Sequence, residues 1–308
     1  MSNKIITVLG ATGKQGGSVV RALLTQGGYH VRAVTRDASK KAALDLIDLD
    51  KQLRGGSGES RVELVEAQLD DEASLKRAFE GAYGVFGVTN YWEGADLMKE
   101  FHHGVHIAHA AKATNVKHLV WSSLEFSYVP HFVSKAMVES YIQHLGVPYT
   151  AIYFPAYYEN HLGFPMAPRR QADGTFVLSM PMDPDQARLP LFSVADSGAF
   201  VVEALNYPDQ YLGKQMRVAS ESLTARQIAV TFERVTGLAT RAEEVDHEAF
   251  QRSFPGAEEL YLNLKWFADN PTGLRDVAWS HRVHPQIKDW AGFVHDHLDF
   301  YKNLTAQL

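Results

Sequence analysis

Short apolar runs rich in β-branched residues alternate with amphipathic segments through the first half of the chain. Six of these runs predict strands, at residues 5–9, 31–35, 62–65, 85–89, 118–121 and 149–154. The segments between them, such as 18–25, 74–79 and 135–142, carry apolar residues at helical spacing. Strands that alternate with helices are typical of βαβ units. The pattern therefore predicts an α/β protein with a Rossmann-type, doubly wound parallel sheet.

The regular alternation ends near Phe164. Beyond a turn-rich stretch, the pattern predicts strands at 175–180 and 216–219 and helices at 193–205, 224–235 and 258–267. Thr224 is the expected N-cap of its helix. We therefore predict a Rossmann domain over 1–163 and a smaller α/β C-terminal lobe over 164–308, with exchange of chain between them left open. The lobe is expected to cover the carboxyl edge of the sheet, where open α/β folds bind ligands.

A polar, glycine-rich stretch, R-G-G-S-G-E-S-R, occupies residues 54–61 after the second predicted strand. It is longer than a connection between a helix and a strand needs. Its composition predicts a flexible, exposed loop and not a domain boundary.

Composition narrows the class of protein. The chain has 308 residues, of which 45% are apolar, so a sizeable core is expected. It contains no cysteine, which excludes disulfides, thiolate metal sites and a cysteine nucleophile. No leader pattern and no apolar stretch of about 20 residues is present, so we expect a cytoplasmic protein without a membrane partner, with nuclear entry left open. A net charge of −6 and scattered basic residues argue against direct nucleic-acid contact.

The first strand runs directly into the glycine-rich sequence G-A-T-G-K-Q-G-G, which opens a predicted helix. Gly10 suits a tight turn, Gly13 lets backbone approach a phosphate, and Gly16 allows close packing of the helix on the sheet. The spacing is GxxGxxG, not the usual GxGxxG, and an ordinary strand-to-helix turn is the alternative. Because the flanking strands and helix fall where the motif requires, we predict that the turn binds a dinucleotide pyrophosphate.

The second predicted strand ends at Arg36, where the adenosine ribose of a dinucleotide would lie. An arginine there accommodates a 2′-phosphate, whereas an acid would pair with a 2′-hydroxyl. Lys40 and Lys41 follow about one helical turn later. The sequence therefore favours NADP(H) over NAD(H), although the neighbouring Asp37 keeps NAD(H) open.

The sequence resembles the NmrA-like family, an atypical branch of the short-chain dehydrogenase/reductases. The resemblance runs nearly end to end and extends to the mammalian redox-sensor and fungal regulator members of that family. The strings that carry it are G-A-T-G-K-Q-G-G-S-V at 10–19, V-R-A-V-T-R at 31–36, V-T-N-Y-W-E at 88–93, Lys135 with Glu139, P-A-Y-Y-E-N at 155–160, S-V-A-D at 193–196 and F-P-G-A-E-E-L at 254–260. Such proteins bind NADP(H), and several act by contacting other proteins.

The resemblance implies a set of cofactor contacts. They are Gly10, Thr12, Gly13, Lys14, Gln15 and Gly16 at the pyrophosphate, Arg36 and Lys40 at the 2′-phosphate, Gln68 and Leu69 beside the adenine, Thr89, Asn90 and Tyr91 along the nucleotide, Lys135 at the nicotinamide ribose, and Tyr157, Tyr158, Glu159 and Asn160 near the nicotinamide. Two positions depart from the family pattern. Gln68 and Leu69 replace a frequent aspartate, and His102 replaces a lysine of the mammalian member.

Whether the cofactor is turned over stays open. Typical short-chain dehydrogenases pair tyrosine and lysine as Y-x-x-x-K, because the ammonium lowers the pKa of the phenol. Here the string is H-F-V-S-K, so Lys135 remains and His131 stands at the tyrosine position. His131 could serve as the acid, or Lys135 could act alone as in isoflavone-reductase-like enzymes. In the third alternative Lys135 only holds ribose hydroxyls and His131 caps its helix.

Three histidines, His102, His106 and His109, share one face of a predicted helix. No recognised ligand spacing or neighbouring acid accompanies them, so no metal site is predicted.

Two functions from different classes fit these observations. The first is an NADP(H)-binding regulator whose redox state alters its binding to a protein partner, such as a transcription factor or a metabolic enzyme. The alternative is an NADPH-dependent reductase of a small aromatic carbonyl or imine. The missing tyrosine favours the regulator, and the retained Lys135 keeps the reductase open. The sequence does not give the oligomeric state.

Overall fold

The computed structural model describes residues 4–163, 165–270 and 274–306. The chain forms two compact units, one from Met1–Phe154 with Ala195–Met216 and the other from Pro155–Val194 with Arg217–Leu308. These ranges differ from the predicted 1–163 and 164–308, because the last strand of the predicted sheet ends before Phe154 and the chain later returns to the first unit. Phe164, the predicted start of the lobe, lies outside the described residues.

The strands are short, as expected from the short apolar runs. Their bounds are β1 Lys4–Val8, β2 Tyr29–Thr35, β3 Val62–Glu66, β4 Gly84–Gly87, β5 His118–Ser123, β6 Tyr149–Tyr153, β7 Ala156–Tyr157, β8 Arg169–Arg170, β9 Phe176–Met180, β10 Arg188–Phe192, β11 Gln215–Arg217, β12 Glu221–Thr224 and β13 Thr240–Glu244.

Helices connect the strands. Their bounds are α1 Lys14–Gln26, α2 Lys41–Leu53, α3 Glu72–Phe79, α4 Leu97–Ala113, α5 Pro130–His144, α6 Ser197–Asn206, α7 Pro208–Tyr211, α8 Ala225–Thr236, α9 His247–Gln251, α10 Ala257–Asp269, α11 Val277–Val283, α12 Trp290–Asp296 and α13 Leu298–Ala306, with 3-10 turns at Tyr91–Glu93, Tyr158–Leu162 and Val194–Asp196. Among the residues that the structure describes, no helix is both long and apolar enough to cross a membrane.

The central sheet has seven parallel strands in the order β11-β6-β5-β4-β1-β2-β3. The predicted Rossmann-type fold and its six strands are thus confirmed, and β11 adds a seventh that we had predicted in the lobe. Strand β1 pairs with β2 on one side and β4 on the other, with Val8 opposite Ala33 and Phe86. The strand order reverses at this point, so the carboxyl ends of β1 and β4 form the crevice in which such sheets bind ligands.

Close packing between helices depends on two glycines. A Cβ on Gly104 of α4 would lie 2.2 Å from the Val138 side chain of α5, and one on Gly198 of α6 would lie 2.3 Å from the Ser18 carbonyl oxygen of α1. The Ser18 hydroxyl also donates to the Ala195 carbonyl at 2.6 Å and accepts from the Gly198 N–H at 3.0 Å. These contacts explain why the segment Ala195–Met216 belongs to the first unit.

The second compact unit has two small sheets, with strand orders β12-β10-β7 and β13-β9-β8. The predicted helix at 224–235 is confirmed as α8. Thr224 caps it in a reciprocal capping box with Gln227, which satisfies two backbone N–H groups. The pattern did not predict β10, β12 or β13, because short strands in mixed sheets lack the long apolar runs of a buried parallel strand.

The polar loop at 54–61 is exposed over 55–60, as predicted, but both of its ends are held by a buried carboxylate. The fully buried Asp50 carboxylate accepts hydrogen bonds from Arg54 Nε at 2.9 Å and Arg61 Nε at 2.8 Å. Burial raises the pKa of Asp50, yet the Arg61 N–H and the two guanidinium groups outweigh burial and lower the pKa overall. The expectation of a flexible loop therefore overlooked a buried carboxylate that organises it.

Stability should fall in acid because of His118 in β5. Its Nε2 donates to Thr150 Oγ1 at 2.7 Å, since the Thr150 hydroxyl itself donates to the Tyr211 carbonyl at 2.8 Å. Burial, reinforced by the Lys4 ammonium, lowers the pKa of His118 to about 4 from 6.5, so the imidazole is neutral near neutral pH. A lowered folded-state pKa means that this stability is complete above pH 6.5 and is lost as pH falls toward about 4.

We expect His118 to contribute a loss of ~2 kcal/mol in unfolding free energy between pH 7.5 and pH 5. Urea titrations at the two pH values measure this loss. His118→Gln is the matched control, because glutamine keeps an amide donor near Thr150 and does not titrate in this range. An equal loss in both proteins would contradict the assignment.

Candidate nucleotide-binding site

The glycine-rich turn after β1 has the shape that a pyrophosphate needs. Gly10 has φ +59°, a left-handed conformation that glycine adopts readily, and its carbonyl accepts the Gly13 N–H at 2.8 Å. Gly13 is extended and begins α1 as its N-cap, without a side-chain cap. A Cβ on Gly16 would lie 2.1 Å from the Gly10 carbonyl oxygen. Gly10 and Gly16 therefore have the conformational and steric roles that the motif requires, and the approach of Gly13 to a phosphate stays a prediction.

An anion at this turn would meet the backbone N–H groups of the first turn of α1. The first hydrogen bond of α1 runs from the Gly17 N–H to the Gly13 carbonyl, at 2.8 Å. The N–H groups that precede Gly17 in the helix have no carbonyl partner within it. Thr12 and Lys14 are exposed beside the turn, and Gln15 is half-buried. The residues present thus fit the pyrophosphate of a dinucleotide.

Basic side chains at the end of β2 lie where the sequence predicted them. Arg36 is 72% exposed, and its Nη1 donates to Glu93 Oε1 at 2.6 Å. Lys40 Nζ lies 4.0 Å from Asp37 Oδ2, whereas Lys41 pairs with Asp45 along α2. Two hydrogen bonds from Ser39, with a lesser contribution from Lys40, lower the pKa of Asp37 although desolvation opposes them. Arg36 and Lys40 could therefore bind a phosphate, once Glu93 releases Arg36.

The predicted adenine contacts, Gln68 and Leu69, follow β3. Gln68 is exposed, and its N–H donates to Ser74 Oγ at 3.1 Å. Leu69 is half-buried against the core, and its carbonyl accepts from His106 Nδ1 at 2.7 Å. The segment is thus held in place by backbone contacts, with the Gln68 side chain at the surface.

The histidines of α4 fasten this same segment. His103 Nε2 donates to Asp70 at 2.6 Å, and His109 Nδ1 donates to Glu72 at 2.9 Å. These acids lie far from the histidines along the chain, which is why spacing alone did not show them. No group of three or more His, Asp or Glu in the described ranges is arranged to hold a metal ion. His102 is exposed, with its ring 6.1 Å from that of Phe101.

Lys135 forms a buried ion pair that the sequence did not reveal. Its Nζ lies 2.7 Å from Glu100 Oε1, 3.1 Å from Thr89 Oγ1 and 3.2 Å from the Thr89 carbonyl oxygen. An ammonium has three N–H donors, so these three acceptors match them. The Glu100 side chain is 1% exposed and that of Lys135 is 12% exposed. The pair joins α4 and α5 to Thr89, which lies in the segment after β4.

Glu100 is ionised in this environment. Burial raises the pKa of the Glu100 carboxyl, but the Lys135 ammonium and hydrogen bonds from Lys135, Ser134 and Thr89 outweigh burial and lower it. A second buried carboxylate, Glu139 of α5, accepts from the Ser123 hydroxyl at 2.6 Å, the Tyr153 hydroxyl at 2.8 Å and the Gln215 amide at 2.8 Å. Glu139 thereby ties α5 to the sheet.

His131 lies one helical turn before Lys135, among aromatic rings. Its ring centroid is 4.8 Å from Phe132, 5.2 Å from Trp92 and 5.6 Å from Tyr91. His131 is 9% exposed and Tyr91 is 7% exposed, whereas Trp92 and Asn90 are exposed. The structure therefore brings together Thr89, Tyr91, His131 and Lys135 of the predicted site. It does not give Lys135 a phenol partner at the His131 position.

The remaining predicted residues, Tyr157 to Asn160, belong to the second compact unit. Tyr158 is fully buried, and its hydroxyl donates to Glu221 Oε2 at 2.6 Å. Its side chain therefore belongs to the core of that unit, and the expectation that it contacts a nicotinamide is corrected to a packing role. The Glu159 carboxylate accepts from the Ser193 hydroxyl and the Val194 N–H. Tyr157 is half-buried and Asn160 is exposed.

Comparison with known proteins bears on this site. The model of the NmrA-like family matches residues 2–290 of the chain. The NmrA-like family domain-containing oxidoreductase FrzB of Cladobotryum sp is 30% identical over 304 residues, which cover 87% of this chain and 87% of that protein.

Solved structures share the fold. NmrA, a negative transcriptional regulator, has a TM-score of 0.78 in its complex with NADP, at 22% identity, with 100% of this chain and 99% of that chain covered. It has also been solved with NAD, with a TM-score of 0.79. The NADPH-dependent quinone oxidoreductase QOR2 of Escherichia coli, complexed with NADPH, has a TM-score of 0.73 at 19% identity, covering 96% of this chain and 99% of that one.

Proposed function

The chain belongs to the NmrA-like family, and from that premise we propose that it binds NADP(H) in its first compact unit and acts as an oxidoreductase. The observation that carries the cofactor proposal is the turn at Gly10, Gly13 and Gly16. Gly10 has a left-handed conformation that favours glycine, and a Cβ on Gly16 would lie 2.1 Å from a backbone atom. Both positions therefore require glycine. Such a turn, followed by a helix N-terminus, binds pyrophosphate.

Arg36 and Lys40 support the phosphorylated form of the cofactor. A guanidinium can donate two parallel hydrogen bonds to a phosphate, and both basic side chains are exposed at the carboxyl end of β2. NmrA has been solved with NAD as well as with NADP, so the fold alone does not choose between them. We base the choice of NADP(H) on these two side chains.

The oxidoreductase proposal is supported by relatives that are named oxidoreductases and are 28–30% identical to this chain. When bound, NADPH supplies a hydride to an electrophilic carbon. Thr89 follows β4, and Lys135 of α5 donates a hydrogen bond to it at 3.1 Å. At the carboxyl end of β4 the two residues are suited to position the ribose end of the cofactor. Because Glu100 neutralises the Lys135 ammonium, Lys135 is a positioning residue in this proposal.

The residues around Lys135 restrict the acceptor. The tyrosine of the Tyr–Lys pair is replaced by His131, which lies among the rings of Tyr91, Trp92 and Phe132. Reduction of a ketone needs a proton on oxygen as hydride arrives. An iminium ion becomes a neutral amine on accepting hydride, and a quinone gives a delocalised anion that water can protonate. We therefore propose an aromatic or conjugated iminium or quinone as substrate.

A regulator that acts through a protein partner is the second candidate. The buried Lys135–Glu100 pair favours it, because the pair supports structure and cofactor binding without supplying an acid. In this candidate the redox state of NADP(H) changes affinity for a protein, with a transcription factor or a metabolic enzyme as the partner. The whole-chain likeness in fold to a negative transcriptional regulator is compatible with it.

Loss of NADPH absorbance with a panel of acceptors tests the two candidates. We expect turnover with a cyclic iminium and a benzoquinone, and none with an aryl ketone. If NADPH binds in calorimetry but none of the acceptors oxidises it, the oxidoreductase is contradicted and the regulator is left. Ketone reduction that disappears in His131→Phe, with NADPH affinity intact, would instead identify His131 as an acid and overturn the proposed acceptor class.

A further inference from the structure

The Arg36 guanidinium already binds a carboxylate, that of Glu93 in the 3-10 turn after β4. Its Nη1 lies 2.6 Å from Glu93 Oε1, although Arg36 and Glu93 are 72% and 55% exposed. Carboxylates and phosphates bind guanidinium with the same planar, charge-assisted geometry. If Arg36 receives the 2′-phosphate, as the proposed function requires, then Glu93 and that phosphate compete for the same guanidinium.

We propose that Glu93 is a specificity-determining residue that weakens NADP(H) binding relative to NAD(H). Its carboxylate must leave Arg36, or share it, when a 2′-phosphate arrives. The two anions would also repel each other at close range. A dinucleotide without the 2′-phosphate leaves the Arg36–Glu93 pair in place, so Glu93 penalises only the phosphorylated form. The inference rests on the proposed NADP(H) site at Arg36.

The other acids near the end of β2 are engaged differently. The Asp37 carboxylate accepts from the Ser39 N–H at 2.9 Å and the Ser39 hydroxyl at 2.6 Å. Glu66 Oε1 accepts from the Ala38 N–H at 2.9 Å. These two carboxylates organise the turn after β2, whereas Glu93 binds the guanidinium that reads the phosphate.

Glu93 ends the 3-10 turn Tyr91–Glu93, which reaches the aromatic residues around His131. The Trp92 ring lies 5.5 Å from Tyr91 and 5.2 Å from His131, and Trp92 is 54% exposed. The Ala95 N–H closes the turn on the Tyr91 carbonyl at 2.8 Å. Release of Glu93 by a 2′-phosphate should therefore change the exposure of Trp92, which gives a readout independent of turnover.

Two small probes isolate the 2′-phosphate: adenosine 2′,5′-bisphosphate carries it, and adenosine 5′-monophosphate does not. By calorimetry, Glu93→Gln should tighten binding of the bisphosphate about threefold to tenfold, because exposed charges interact modestly. Binding of the monophosphate should change less than about twofold. The matched control is Glu63→Gln, which removes the same charge from an exposed carboxylate paired with Arg32 at 2.8 Å. It should leave both affinities within about twofold.

A double-mutant cycle locates the effect at Arg36. In an Arg36→Ala background, Glu93→Gln should no longer favour the bisphosphate. Acrylamide quenching of Trp92, taken as the difference between the wild type and Trp92→Phe, should change with the bisphosphate and not with the monophosphate.

The outcomes separate this inference from the proposed function. Equal changes for the two probes, weaker bisphosphate binding in Glu93→Gln, or an effect that survives Arg36→Ala would each overturn the role of Glu93 alone. A wild-type protein that binds neither NADP⁺ nor NAD⁺ would overturn the proposed function and this inference together.

Discussion

Gly16→Ala should abolish dinucleotide binding and strongly destabilise the first compact unit. The new Cβ would lie 2.1 Å from the Gly10 carbonyl oxygen, 2.5 Å from its carbonyl carbon and 2.9 Å from the Ala11 nitrogen. All three are backbone atoms, so no change of rotamer relieves the contact. The turn and α1 must separate, which we expect to cost about 3 kcal/mol or more, at or above the upper end of ordinary overpacking. Urea unfolding and calorimetry with NADP⁺ measure the two effects.

The neighbouring Gly17 provides a matched control. A Cβ there would be 3.5 Å from the Ala11 carbonyl oxygen, an ordinary contact. Alanine is also the better helix former by about 1 kcal/mol. Gly17→Ala should therefore leave stability unchanged or slightly higher, with NADP⁺ binding retained. If Gly16→Ala behaved like Gly17→Ala, the close approach of turn and helix would not exist in solution.

Breaking the buried pair between Lys135 and Glu100 should have an effect of similar size on stability. Lys135→Met leaves the Glu100 carboxylate buried with hydrogen bonds from Thr89 and Ser134 but no counter-charge. Glu100→Gln leaves the Lys135 ammonium without its carboxylate. Removing one partner of a buried pair typically costs about 3–5 kcal/mol. We expect each single variant to lose stability in that range in urea unfolding.

The double variant Lys135→Met with Glu100→Gln tests whether the loss comes from the unpaired charge. It removes both charges, so it should be less destabilised than the sum of the single variants by about 2 kcal/mol or more. Glu139→Gln serves for comparison, because the described partners of that carboxylate, Ser123, Tyr153 and Gln215, are uncharged. Simple additivity of the two single changes would show that Lys135 and Glu100 do not form a pair in solution.

A site residue could be predicted from the sequence when its partners lie close to it along the chain, and not when they lie far away. The glycine turn and Arg36 could be placed because each depends on the strand directly before it. Glu100 and Glu93 could not be assigned roles from the sequence, since their partners are 35 and 57 residues away. In a single sequence a glutamate near a helix start or in a turn looks like an ordinary surface residue. Only the resemblance marked the V-T-N-Y-W-E string that contains Glu93.

The division into units shows the same limit. The strand at 175–180 and the helix at 193–205 were predicted near their observed positions. Both were predicted in the lobe, but the helix belongs to the first compact unit. That depends on the approach of Gly198 to Ser18, a contact between helices far apart in the chain. Likewise the loop at 54–61 was predicted from its composition, while its attachment to Asp50 was not.

The sequence by itself determined the class of fold, the order of the six strands along the chain and the glycine turn that opens α1. These follow from local periodicity and from conformations that only glycine tolerates. Only the tertiary structure decided which charges meet: Lys135 with Glu100, Arg36 with Glu93 and Asp50 with its two arginines. The reason is physical. An ion pair depends on separation in space and on burial, and neither is encoded in the spacing of residues along the chain.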